Sequence, residues 1–153
     1  MSDIYPRSTV QIGGHPIHSL LVPFPIVCFI GTLVTDLVYA GTAEMMWADF
    51  SAWLLTVGLL ISILVVIAGL VDFVVERRIR ALEASWIHAV GNAIALVLAI
   101  FDAFVHTRDA YTSVVPAGLV LSFLVVAILV VSSWFGCEMV YRHGVAIRPD
   151  KPS

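Results

Sequence analysis

Charge is what this sequence has least of. Only 12% of its 153 residues are Asp, Glu, Lys or Arg, against 60% hydrophobic, whereas a soluble globular chain carries about a quarter charged residues. That scarcity excludes water as the main solvent of the surface. The net charge of −3 comes with no basic block, which excludes nucleic acid as a partner. Cysteine is scarce too. Cys28 lies near the middle of one apolar stretch and Cys137 near the end of another. Their different depths argue against a disulfide, and both read as small packing residues. No soluble domain, linker or low-complexity tract stands out. Residues Met1 to Val10 hold one basic residue, a proline and no apolar core. A cleavable signal peptide is therefore not expected, and the first apolar helix is expected to be its own membrane signal.

Long apolar runs fill the rest. A bilayer core takes about 20 residues of apolar helix, and four stretches reach that length: Leu20 to Tyr39, Phe50 to Val75, Trp86 to Val105, and Ser113 to Phe135, continuing as helix to Tyr141. The joins between them, Gly41 to Asp49, Glu76 to Ser85 and His106 to Thr112, are short enough to force antiparallel neighbours. The expected fold is all-α, an up-down four-helix membrane bundle. Its domain spans residues 15–147, with tails at 1–14 and 148–153. Pro25 removes a backbone donor and predicts a bend in the first helix.

The basic residues predict orientation. Arg7, Arg77, Arg78, Arg80, Arg142, Arg148 and Lys151 fall on one side and Arg108 alone on the other. The first group, with both termini, is therefore expected in the cytoplasm of a bacterial inner membrane. Trp47, Trp53, Trp86 and Trp134 sit near span ends, as interfacial aromatics do.

An ionisable group in hydrocarbon is costly and faces the bundle interior. His88, Asn92, Ala95, Ala99, Asp102 and His106 form one helical stripe. His15, His18, Val22, Pro25, Phe29, Thr32 and Asp36 form a second, and Gly58, Ser62, Val65, Gly69 and Asp72 a third. Stripes of small and polar residues are what close packing in lipid uses; these small residues would pack within the chain or against a second copy, a homo-oligomer. Depth then divides the polar groups. His15, His18, Asp72, His88, Asn92, Glu138, Tyr141 and His143 collect at the cytoplasmic end, including four of the five histidines. Asp36, Asp102 and His106 stay at the outer end. Taken singly, each histidine reads as an interfacial or hydrogen-bonded residue. Asp72 reads as a helix anchor pairing with a loop arginine, and His106 as a last-turn cation beside Asp102. Histidines and carboxylates converging from four helices are also what a bundle-core cofactor or metal site requires. His15-Pro16-Ile17-His18 by itself is weak evidence for metal.

The segment His15-Pro16-Ile17-His18-Ser19-Leu20-Leu21-Val22-Pro23-Phe24-Pro25-Ile26 resembles the opening of a family of predicted bacterial membrane proteins, domain of unknown function 2231. The likeness continues through Asp36, Gly69-Leu70-Val71-Asp72 and Trp86-Ile87-His88-Ala89 with Asn92. It closes on Gly136-Cys137-Glu138-Met139-Val140-Tyr141-Arg142-His143-Gly144-Val145. Ser19 and Cys137 depart from the family's frequent proline and glycine. The resemblance implies a four-helix membrane domain without an established activity. Fusion of some members to Rieske-type or cytochrome-type domains implies electron transfer by association alone.

Three functions follow as expectations. The first is a redox membrane protein with haem b held axially by His18 and His88. Asn92 and Tyr141 would support the ligands, and Arg77, Arg78 or Arg142 would face the propionates. A redox partner protein would then be expected. The second is a non-haem transition-metal site, or a metal- or proton-handling protein, built on His15, His18, Asp72, His88 and Glu138, with His143 as a further candidate ligand. The third is a structural or accessory subunit. No nucleophile or base constellation names a reaction. No internal repeat is visible, which with four helices argues against alternating-access transport.

Overall fold

The computed structural model describes residues 8–13, 15–108 and 114–146. In lipid every backbone polar group must be satisfied within the chain, so these apolar runs fold as helices. A two-residue antiparallel ladder, β1 (Gln11–Ile12) with β2 (His15–Pro16), leads into α1 (Ile17–Leu21) and α2 (Pro23–Thr42). Then come α3 (Met45–Val75), a single turn α4 (Arg77–Arg80), α5 (Glu83–His106), an irregular turn Val114–Gly118, and α6 (Leu119–His143). Four helical segments, α1 with α2 counted together, are long and apolar enough to cross a membrane. The 31 residues of α3 span about 46 Å, well beyond the bilayer core.

The break in the first span falls one turn earlier than Pro25. Pro23 has no N–H to continue the ladder, but Val22 keeps helical dihedrals (φ −50°, ψ −40°) and its N–H reaches the His18 carbonyl at 3.0 Å. The helix therefore runs on in the same direction. The first connection is shorter than expected, only Ala43 and Glu44. Ala43 is left-handed (φ 55°), and its N–H closes on the Tyr39 carbonyl at 2.8 Å. At the far end Gly144 (φ 64°) and Val145 turn their N–H groups onto the Val140 and Met139 carbonyls, ending α6 as a left-handed cap does. Residues 109–113 of the third connection lie outside the described residues.

The interior is small and polar and the outside is large and apolar. Thr32, Asp36, Ser51, Leu55, Ala99, Asp102, Ser122, Val125 and Ser132 are buried, while Phe24, Trp53, Leu60, Phe101, Phe123 and Trp134 are exposed. An apolar exterior of this extent is stable against lipid tails and not in water. Three of the four buried stripes are those expected: Pro25, Phe29, Thr32 and Asp36 on α2; Gly58, Ser62, Val65 and Asp72 on α3; Ala95, Ala99, Asp102 and His106 on α5. The fourth, Ser122, Val125, Leu129 and Ser132 on α6, has too little amphipathic contrast to be seen beforehand.

The stripes also correct the expectation that no repeat exists. Buried positions on α2 and α5 pair at a constant offset: Pro25 with Ala95, Phe29 with Ala99, Thr32 with Asp102, Asp36 with His106. Those on α3 and α6 do the same: Leu55 with Ser122, Gly58 with Val125, Ser62 with Leu129, Val65 with Ser132. Each hairpin packs most closely on itself, α2 with α3 and α5 with α6. The two then meet through α2 against α6 and α3 against α5. The bundle is thus two equivalent hairpins about an axis along its length, with α2 diagonal to α5. The repeat lies in which positions are buried and hardly in residue identity, which hides it from the sequence.

Candidate functional site

The diagonal pair α2–α5 meets along that axis at both ends of the bundle. At one end α1 delivers His18 and α5 delivers His88, at equivalent positions of the two hairpins. Their ring centres are 6.1 Å apart, with the planes at 82°. His18 Nδ1 is 3.0 Å from the carbonyl of Val65, and His88 Nδ1 is 2.8 Å from the carbonyl of Ser132. A carbonyl only accepts, so in each ring Nδ1 carries the hydrogen and donates. The lone pair is left on Nε2.

Glycine makes room for each ring, four residues beyond the accepting carbonyl. A Cβ at Gly69 would stand 2.8 Å from His18 Nδ1, and one at Gly136 would stand 3.0 Å from His88 Nδ1. The two histidines are thus held alike, each seated on the partner helix of its own hairpin. Asn92, one turn after His88, donates its amide to the Ser132 hydroxyl (2.6 Å) and to the His88 carbonyl (2.7 Å). The same nitrogen lies 3.3 Å from both ring nitrogens of His88. Ser132 in turn donates to the His88 carbonyl at 3.0 Å. These bonds lock α5 to α6 beside the imidazole.

The other residues expected at this end are dispersed. Asp72 is buried but faces the N-terminal segment and, among the described residues, no arginine. It accepts from the Ser8 hydroxyl (2.7 Å) and from the backbone N–H groups of Thr9 and Val10. His15 is exposed in the β-ladder and His143 is exposed at the end of α6. Glu138 pairs with Arg142 at 2.6 Å along α6. Tyr141 is 83% exposed, and Arg77 is exposed, so neither touches the pair. Among the described residues no three His, Cys, Asp or Glu side chains come close enough to share a metal ion. Two apolar hollows, of about 270 Å³ each, lie between α5 and α6 and between α2 and α6, and neither is lined by His18 or His88.

Sequence reasoning missed Ser132, Gly136, Ser8 and the carbonyl of Val65. The available signal was the shared spacing of Val65 with Gly69 and Ser132 with Gly136, in helices following the two histidines.

At the opposite end the diagonal pair is Asp36 and His106. His106 Nε2 lies 3.1 Å from Asp36 Oδ1, and the Ser122 hydroxyl donates to Asp36 Oδ2 at 2.7 Å. His106 Nδ1 is 3.0 Å from the backbone carbonyl of Asp102 and 3.1 Å from its Oδ1. The geometry favours the carbonyl: neither side-chain oxygen of Asp102 has a hydrogen-bond partner among the described residues.

A family model described as predicted membrane protein (DUF2231) matches residues 14–149. No curated protein and no solved structure matches the chain.

Proposed function

We propose that this chain, which belongs to the DUF2231 family of predicted membrane proteins, holds one haem b between His18 and His88 and carries single electrons in the membrane. The pair itself carries the reading. The ring centres are 6.1 Å apart, a spacing at which both imidazoles could reach one metal atom at metal–nitrogen bonds of about 2 Å. Both rings have Nδ1 committed to a carbonyl, the second-partner arrangement usual for a ligating imidazole. The lone pair of Nε2, which at His88 has only the Asn92 amide at 3.3 Å, is the one a metal would take.

Ligand count favours haem over a bare ion. A closed zinc site takes four protein ligands, and the carboxylates here are engaged elsewhere. Haem would bring nitrogen ligands of its own and would need only His18 and His88 from the protein to hold it. When bound, it supplies reversible one-electron transfer. The chain's residues do the holding. The Val65 and Ser132 carbonyls fix the tautomers, Gly69 and Gly136 leave the rings their seats, and Asn92 braces His88. Arg77, exposed, and Arg142, paired with Glu138, stand at the same end and would be the cations to receive the propionates. The arginine bias turns this end toward the cytoplasm of a bacterial inner membrane, where a redox partner protein would dock.

The test is absorbance of the protein purified in mild detergent, before and after dithionite, with iron analysis on the same sample. The expected result is a Soret band that shifts and sharpens on reduction, and that is lost when His18 and His88 are both changed to Ala. Protein that stays colourless after reconstitution with haemin overturns the reading.

A further inference from the structure

We propose that Asp36, Asp102 and His106 form a buried proton-binding site in which Asp102 takes up and releases an exchangeable proton. The site shares no residue with the His18–His88 pair and stands whether or not that pair holds a haem. Asp36 and Asp102 are 0% exposed, and the His106 side chain is 1% exposed. Both imidazole nitrogens face oxygen: Nε2 faces the Asp36 carboxylate and Nδ1 the Asp102 backbone carbonyl. With two N–H donors the ring is an imidazolium, and the Asp36 carboxylate, further held by Ser122, is its counter-ion. That pair is already neutral.

Asp102 is then the surplus acid. As an anion it would place an unbalanced charge inside the bundle, at a cost of several kcal/mol. The His106 imidazolium stands 3.1 Å from one Asp102 oxygen but is already balanced by Asp36, so two carboxylates would share one positive charge. No second buried cation lies near them among the described residues. On α2, the buried groups near this level are Thr32, Thr35, Asp36 and Tyr39. On α3 they are Ala48 and Ser51, the latter bonded to Thr35 at 2.7 Å, and its acids Glu44 and Asp49 are exposed. On α6 the polar group is Ser122. Arg108, just beyond α5, is exposed. The two Asp102 oxygens receive no hydrogen bond among the described residues. A cation is therefore required, and these side chains do not form a metal-binding cluster. A proton, which needs only one carboxyl oxygen, fits.

Infrared spectroscopy of the full-length protein in lipid reads this directly. A protonated carboxyl gives a C=O stretching band above the amide region, which moves to lower frequency in D₂O. The unaltered protein at neutral pH is expected to show such a band, shifted after equilibration in D₂O. Asp102→Asn is expected to abolish it, and Asp102→Glu to move it. Asp36→Asn is expected to abolish it as well, because Asp102 must then ionise as the sole counter-ion of His106. The absence of any band in the unaltered protein, a band that ignores D₂O, or one that survives Asp102→Asn overturns the proposal. The measurement on unaltered protein decides even if a variant fails to fold.

Discussion

The two ends of the bundle use one framework to opposite effect. At one end the repeat places identical residues, His18 and His88, across the axis; at the other it places complementary ones, Asp36 and His106. The two imidazoles do not bond to each other; each turns its Nδ1 to a carbonyl of the other helix in its own hairpin. A carboxylate and an imidazole do satisfy each other, and they close at 3.1 Å with full burial. Symmetry kept leaves two like rings facing each other, the pair on which the haem proposal rests. Symmetry broken makes a lock, with Asp102 as the group the lock does not use.

The largest effect should come from breaking the lock. Asp36→Ala leaves His106 Nε2–H and the Ser122 hydroxyl buried without their acceptor and Asp102 as the one remaining counter-ion, which costs about 3 kcal/mol. A thermal melt in detergent should show a large drop in midpoint, while any absorbance from the histidine end, in protein kept below that midpoint, stays unchanged. Next come the glycine seats. Gly69→Val or Gly136→Val forces a side chain into an imidazole and costs about 1–3 kcal/mol. Haem per protein, read from the Soret band, should fall to a trace, and retention of full haem by both variants would break the comparison. Asp72→Asn removes charge from hydrogen bonds to Ser8, Thr9 and Val10, which is worth about 2 kcal/mol. Hydrogen exchange should quicken at residues 8–13 and leave the midspan helices as they were. Ser132→Ala should be mildest, about 1 kcal/mol by melting: it removes a hydroxyl from the Asn92 brace but keeps the carbonyl that holds His88.

Particular residues mark how far the sequence could be read. Apolar length and the inward stripes of α2, α3 and α5 were legible, because an ionisable group in lipid has one affordable direction. The stripe of α6 was not, since serine against valine and leucine gives little contrast. His18 and His88 were legible as a pair by depth and face. Tyr141 and His143 were placed at the right end of the bundle but lie on its outside, because depth says nothing about the face a terminal turn presents. Asp72 was legible as a helix anchor, although its partners among the described residues are Ser8 and two backbone amides where an arginine of the middle loop was expected.

The sequence by itself determined that the chain crosses a membrane four times and turns its polar residues inward. Both follow from the cost of exposing polar groups to hydrocarbon, which is paid residue by residue. Only the tertiary structure decided which inward groups meet. Whether Glu138 reaches a histidine or its own Arg142, and whether Asp102 finds a donor, depends on how two hairpins cross, and that is a property of packed helices that no single helix carries.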